Sequence, residues 1–273
     1  MLSFERLAEI ERQGMTAALA TVIRASGSVP RRSPSKMLIF PDGSIEGTIG
    51  GGEMEIRVVE EALRALADGK TRVLSYTFND PEQGDPGICG GEMEVYVEPL
   101  RPRPTLIVVG AGHVGKALAH LAHWLNFRLV ITDDRPNFAV AAAVPNADEY
   151  ITCPLKELPQ RTRIDDQTYV VLVTRGVPVD TAGLPSLLET PAAYIGVIGS
   201  KRRWETSAKQ LLEDGLEEAK IQRVISPIGL ELGAESPEEI ALSIMAEIVM
   251  HCRGGTGESM AHRPKAKRAA QKS

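Results

Sequence analysis

A chain of 273 residues with 43% hydrophobic and 25% charged residues has the makeup of a soluble globular protein, and the length of one large or two ordinary domains. The formal net charge is −5, but the segment from Ala261 to Ser273 carries Arg263, Lys265, Lys267, Arg268 and Lys272 with no acid, which leaves −10 on the remainder. An acidic body with only five Phe, five Tyr and two Trp argues against nucleic-acid binding.

The N-terminal stretch MLSFERLAEIERQG is amphipathic and mixed in charge, unlike a secretory signal or transit peptide. It predicts a helix from Ser3 to Gln13 that stops at Gly14. Residues 16–24 read as a strand and 25–35, rich in Gly, Pro and Ser, as a loop. Residues 36–40 and 45–49 read as a hairpin turned at Pro41–Ser44. Gly50, Gly51 and Gly52 then lead into a helix over 53–68, with Met54, Val58, Ala62 and Leu66 near one face. Strands are expected at 72–78 and 92–98, separated by the turn-rich NDPEQGDPGICGG. The prolines of residues 99–104 predict a stiff connection. These features place a smaller α+β domain at 1–100, a linker at 101–104, a second domain at 105–255 and a basic, disordered tail at 256–273.

The second domain begins TLIVVGAGHVGKALAHLAHWLNFRLVITDD. The apolar run 105–109 has the length and β-branched content of a buried parallel strand, followed at once by Gly110-Ala111-Gly112-His113-Val114-Gly115. Helical spacing runs on to about Asn126, and a second apolar run ends at Asp133 and Asp134. This is the strand, glycine turn, helix, strand and acid of a dinucleotide-binding unit. Gly110 suits the tight turn, Gly112 the approach of backbone to a pyrophosphate, and Gly115 close packing of helix on strand. The helix N-terminus offers N–H groups to an anion, and Asp133 can accept hydrogen bonds from ribose hydroxyls. Further strands are expected at 149–153, 169–174, 193–198 and 224–225, and helices at 180–189, 202–213 and 237–251. The alternation predicts an α/β class chain with a C-terminal Rossmann-like doubly wound parallel sheet.

Several residues beyond the glycine turn are candidates for binding. Gly50–Gly52 leading into a helix can form an anion-binding nest, although composition alone favours a simple turn with a good helix start, and Glu53 and Glu55 in the first helical turn would oppose a second anion. Cys89, inside GICGG, is a thiol accessible to a ligand, another sulfur or a metal, or else a small buried hydrophobe. Cys89, Cys153 and Cys252 lie far apart without a CxxC, which shows neither zinc-site spacing nor a disulfide framework and fits a reducing cytoplasm. Cys153 and Cys252 sit in apolar contexts and read as structural. Arg175, closing one strand, and Ser200 and Arg203, in GVIGSKRRWE, stand at the sheet edge where open α/β sheets bind ligands. His113 lies in the glycine turn. No Ser–His–Asp order, HExxH or paired-carboxylate arrangement marks a catalytic centre, and no apolar run approaches the ~20 residues of a membrane span.

The ordered series SGSVPRRSPSKMLIFPDGSIEGTIGGGEME, GICGGEMEVYVEP, GAGHVG with TDDRP, LVTRGVPVD, YIGVIGSKRRWE and SPIGLELGAESPEEIALSIMAEIV closely resembles the xanthine dehydrogenase accessory factor family, XdhC/CoxI. The resemblance covers about 18–249, and its last two motifs are the most specific. It implies a maturation factor that binds molybdenum cofactor as cargo, works with a cysteine desulfurase in its sulfuration, and delivers it to a molybdenum hydroxylase apo-enzyme such as xanthine dehydrogenase. It also implies a cytoplasmic homodimer. Carried over, Gly50, Gly51, Gly52 and Glu55 match GGGxxE, Cys89 the cysteine of CGG, Gly110, Gly112 and Gly115 the nucleotide turn, and Asp133 the acid after the second strand. Many relatives have cysteine where Glu53 stands here, so any sulfur or metal handling by that cysteine either falls to Cys89 alone or is lacking in this chain. The cofactor is expected near the Rossmann crevice, shielded between domains. Two other readings use the same residues: an NAD(P)-dependent oxidoreductase, and an apo-enzyme-stabilising interaction protein with a vestigial crevice.

Overall fold

The computed structural model describes residues 3–79 and 90–261, and the chain divides into two compact units between Arg103 and Pro104. Cys89 and the end of the basic tail lie outside the described residues.

The first unit runs α1 (Phe4–Arg12), β1 (Ala17–Ser26), β2 (Lys36–Ile39), β3 (Ile45–Gly47), α2 (Gly52–Asp68), β4 (Arg72–Thr77) and β5 (Glu92–Leu100). Its strands form one antiparallel sheet in the order β3-β2-β1-β5-β4. Alternation along β1 sends Ala18, Ala20 and Val22 to one face, where they pack with Met54, Val58, Ala62 and Ala65 of α2. Ala17 and Leu19 go to the other face, with Ile10 of α1 and Leu38. Ser3 caps α1 through the Arg6 N–H at 3.2 Å. Pro99 and Leu100, read from sequence as part of the stiff connection, instead extend β5 by pairing with Ala18 and Ala17. Leu100 packs against the cluster under α1, and that burial carries the strand two residues further.

The second unit contains β6 (Thr105–Val109), α3 (His113–Trp124), β7 (Arg128–Asp133), β8 (Glu149–Thr152), α4 (Leu158–Arg161), β9 (Thr168–Leu172), α5 (Val177–Leu188), β10 (Tyr194–Val197), α6 (Lys201–Glu213), α7 (Glu218–Ile221), β11 (Val224–Ile225) and α8 (Pro237–Arg253). All its strand pairs are parallel, in the order β11-β10-β9-β6-β7-β8. This is a Rossmann order, and it reverses between β6 and β9. Leu106 and Val108 face a core shared with α3 and α8, while Ile107 and Val109 face one shared with α5 and α6. Burial on both sides is why β6 reads as an unbroken apolar run. The fold class expected from the alternation of elements is the fold observed.

The differences are local. β9 ends at Leu172, not at residue 174, and α5 starts at Val177, not at residue 180. Pro178 fits the first turn of α5, where a missing N–H costs no helical bond. Residues 173–176 are thereby left as a turn at the reversal point. The single-turn helices α4 and α7 have no periodicity to announce them.

Candidate functional site

Two glycine turns carry the candidate residues, one in each unit. In the first unit Gly50, Gly51 and Gly52 all have positive φ, at 144°, 77° and 71°. A Cβ on Gly50 would lie 2.6 Å from the Cβ of Pro30. The carboxylate of Glu55 folds back over this turn. One oxygen accepts hydrogen bonds from the Thr48 hydroxyl at 2.7 Å, the Gly51 N–H at 3.0 Å and the Ile49 N–H at 3.1 Å. Burial alone would raise the Glu55 carboxyl, but Thr48 and the N–H groups of Gly51, Ile49 and Gly50 outweigh it and hold the pKa below the usual glutamate value. The N–H groups of Ile49 and Gly51 thus have a carboxylate of the same chain as their acceptor, and the Gly50 N–H has the Thr48 hydroxyl at 3.1 Å.

The second turn joins β6 to α3, and its glycines have different tasks. Gly110 has φ 108°, and a Cβ there would meet the Val173 carbonyl at 2.7 Å. A Cβ on Gly115 would sit 1.9 Å from the Gly110 carbonyl oxygen, so this glycine lets α3 close onto the turn. Gly112 precedes α3 with φ −75° and ψ −164°, and a Cβ there would meet nothing within 4 Å. No side chain caps α3, and no acid lies in its first turn. Three other helices differ. Ser3, Ser200 and Ser236 cap α1, α6 and α8, with Glu239 completing a capping box on α8.

Gly110, Gly112, His113, Asp133 and Arg175 come together around a cavity of about 260 Å³ at the C-terminal ends of β6, β7 and β9. His113 also borders a more apolar groove between α3 and α8. Asp133 is not the open acid expected. Its side chain is 3% exposed and its two oxygens are occupied from within the chain. Oδ2 accepts the Ala111 N–H at 2.9 Å and Arg135 Nη2–H at 2.8 Å, and Oδ1 accepts Arg135 Nε–H at 2.8 Å and its backbone N–H at 3.0 Å. Burial would push this carboxyl up, but Arg135 and the Ala111 N–H reverse the effect and hold the pKa at about 2. The Arg135 guanidinium lies 3.3 Å over the ring of Phe138, which also lines the cavity. Asp134 instead pairs with Arg175 at 2.7 Å. Because β6 lies between β7 and β9, this exposed pair spans the sheet edge above the glycine turn.

Ser200 and Arg203 stand one strand further along. Ser200 accepts the Arg203 N–H as the cap of α6. The Arg203 side chain reaches the fully buried Asp180 at 2.6 Å and the Thr174 hydroxyl at 3.2 Å, and Thr174 also donates to Asp180. Burial raises the Asp180 carboxyl, and Thr174 and Arg203 pull it back only in part. This cluster fixes the turn that carries Arg175, and Thr174 lines the cavity. Thr132, Arg135, Phe138 and Cys153 also line the cavity, and none of them is a binding candidate from sequence. Cys153 is buried, 4.0 Å from the Thr132 hydroxyl, and burial pushes its thiol up, so it is a protonated wall residue. Its place directly after β8, at the ligand-binding edge of a parallel sheet, is the signal that could have found it. Among the described residues no cluster of His, Cys, Asp and Glu is arranged to hold a metal.

The geometry defines a Rossmann unit with a glycine-turn crevice at the reversal point, joined in sequence to an α+β unit. Residues 106–248 match the XdhC Rossmann domain and residues 10–77 the XdhC and CoxI family, and the chain belongs to that family. YqeB of Escherichia coli (strain K12), described as uncharacterized, is 35% identical over 90% of this chain and 45% of its own length. A Bacillus subtilis (strain 168) protein described as a probable xanthine dehydrogenase subunit is 32% identical over 57% of this chain and 45% of its own length. The chain thus spans less than half of either relative. The molybdenum cofactor insertion chaperone PaoD of Escherichia coli (strain K12) is 24% identical over 86% of this chain and 83% of its own. A crystal structure described as a xanthine dehydrogenase from Bacillus halodurans shares the fold, with a TM-score of 0.50 and 23% identity over 97% of this chain and 98% of that one.

Proposed function

We propose that this protein is a maturation factor that binds molybdenum cofactor as cargo and assists its insertion into a molybdenum hydroxylase of the xanthine dehydrogenase type. The observation that carries the reading is Gly112. Neither its backbone angles nor its surroundings require glycine, yet it stands at the uncapped start of α3 beside the crevice. Room for a Cβ that is left unused there suits a phosphate brought against the backbone, and the cofactor carries a phosphate on its pterin. Membership of the XdhC/CoxI family and the likeness to an insertion chaperone support the cargo's identity.

In this reading Gly110, Gly112 and His113 hold the phosphate end, Arg175 turns from Asp134 toward the anion, and Gly115, Ser200 and Arg203 keep the turns in shape. Gly50–Gly52, Glu55 and Cys89 belong to the α+β domain of 1–100, with Cys89 as the contact for sulfur or metal. A cysteine desulfurase supplying the sulfido ligand, a homodimeric state and a cytoplasmic setting complete the proposal. No helix among the described residues is long and apolar enough to cross a membrane.

The test is a titration of the purified protein with molybdenum cofactor released from a donor enzyme, with Gly112→Asp in parallel. Saturable, near-stoichiometric binding that is lost in Gly112→Asp is expected. Absence of binding by the wild type would overturn the function, and unchanged binding by Gly112→Asp would overturn the placement.

A further inference from the structure

We propose that Arg135 sets the ligand specificity of the crevice. It closes the acid that would read a ribose diol, so the crevice takes a phosphorylated ligand that brings no vicinal diol to the end of β7. NAD-type dinucleotides are thereby excluded. The inference rests on the crevice being the binding site proposed above.

In a dinucleotide-binding unit the acid after the second strand accepts hydrogen bonds from the ribose hydroxyls, and for that its oxygens must face the ligand. Asp133 stands at that position, but Arg135 takes both oxygens through Nε and Nη2, and the Ala111 N–H shares one of them. A ribose hydroxyl would have to displace a bidentate, charge-assisted contact that is buried on the Asp133 side. Phe138, under the guanidinium at 3.3 Å, holds Arg135 in place against such an exchange. The same guanidinium leaves Nη1 outside the Asp133 contact. The edge of a guanidinium already paired with Asp133 therefore stands where an NAD-type site offers an open carboxylate, and it suits an acceptor such as a phosphate oxygen better than a diol. The pterin half of molybdenum cofactor, with a phosphate and no ribose, meets that requirement.

The experiment measures NADH binding by nucleotide fluorescence for the wild type, for Arg135→Met, which keeps an apolar stem over Phe138, and for Arg135→Ala. Asp133→Asn is then added to whichever variant binds. The wild type is expected to show no saturable binding. A folded Arg135 variant is expected to bind NADH at least tenfold more tightly, and Asp133→Asn should erase the gain. Saturable NADH binding by the wild type overturns the proposal, whether or not the variants fold. So does a folded Arg135 variant that gains nothing. Cofactor titration of the same wild-type sample keeps the two readings apart, because a sample blind to both ligands defeats the cargo reading while the Arg135 variants still decide this one.

Discussion

The two glycine turns lead a strand into a helix in each unit, and they complete themselves in opposite ways. At Gly50–Gly52 the chain supplies its own anion, since Glu55 reaches back to the turn N–H groups. At Gly110–Gly112 the chain's carboxylate meets only the Ala111 N–H, and α3 starts without a cap. Glycine content alone does not distinguish the two. What separates them is whether an acid close in sequence lands on the turn: Glu55 does so three residues after Gly52, whereas after Gly112 no acid follows until Asp133, a whole helix and strand later. A self-filled nest serves the fold, and an unfilled one has N–H groups to offer a ligand.

The sharpest break in the comparison comes from the glycines themselves. Gly115→Val should be the most damaging change, because even its Cβ would meet backbone 1.9 Å away and α3 would have to lift from the turn. A loss of about 3 kcal/mol or more is expected, on the scale of severe overpacking. Urea unfolding of the variant measures it, and a loss below about 1 kcal/mol would mean that α3 does not need this contact. Glu55→Ala should follow. It leaves the N–H groups of Ile49 and Gly51 and the Thr48 hydroxyl without their acceptor, at a cost of roughly 2–3 kcal/mol. Glu55→Gln should recover part of this, because the amide oxygen can still accept.

Gly112→Ala tests the other side of the comparison. Stability should stay within about 0.5 kcal/mol of wild type, because the added methyl meets open space. Cofactor affinity should fall about tenfold, or about 1.4 kcal/mol. An equal loss of stability would show that Gly112 serves the fold after all, as Gly50 does.

Asp133 gives the comparison a pH signature. Its pKa is held at about 2, below the ordinary aspartate value of 3.8. A depressed folded-state pKa contributes stability that is complete above the unfolded value and is lost as pH falls from about 4 to about 2. The size of the shift corresponds to roughly 2 kcal/mol. Unfolding free energies of wild type and Asp133→Asn, followed from pH 6 to pH 2, should therefore converge across that window. A constant difference between the two would show that the Arg135 contact does not perturb the carboxylate.

The physics of each feature explains how much of it is legible in the sequence. The β6–α3–β7 unit can be read because glycine spacing and buried apolar runs are local properties of the chain. The engagement of Asp133 by Arg135 is equally local, an Asp-x-Arg in TDDRP, yet it escapes a sequence reading because it depends on side-chain direction and not on periodicity. The acid is therefore expected to face a ribose. Glu55 reads as opposing an anion in the nest, and not as the anion itself, since a carboxylate in a first helical turn usually serves only the dipole. Cys153 reads as structural because an apolar strand context describes its burial correctly. That context says nothing of the strand's C-terminal end opening on a crevice.

The Asp134–Arg175 pair carries the smallest expected effect and the finest test. Both side chains are about half exposed, at 41% and 54%, so the pair should contribute less than about 1 kcal/mol to stability. Asp134→Ala should leave unfolding unchanged. If the pair spans the crevice only until an anion arrives, Asp134 competes with the ligand for Arg175, and removing it should strengthen cofactor binding by two- to fivefold. Arg175→Ala should weaken binding by a similar factor, and both effects should shrink as salt is raised, because exposed charges are screened. Changes of the same sign in the two variants would instead mean that the pair acts as one unit to shape the crevice. The second glycine turn would then be organised by its own chain as fully as the first.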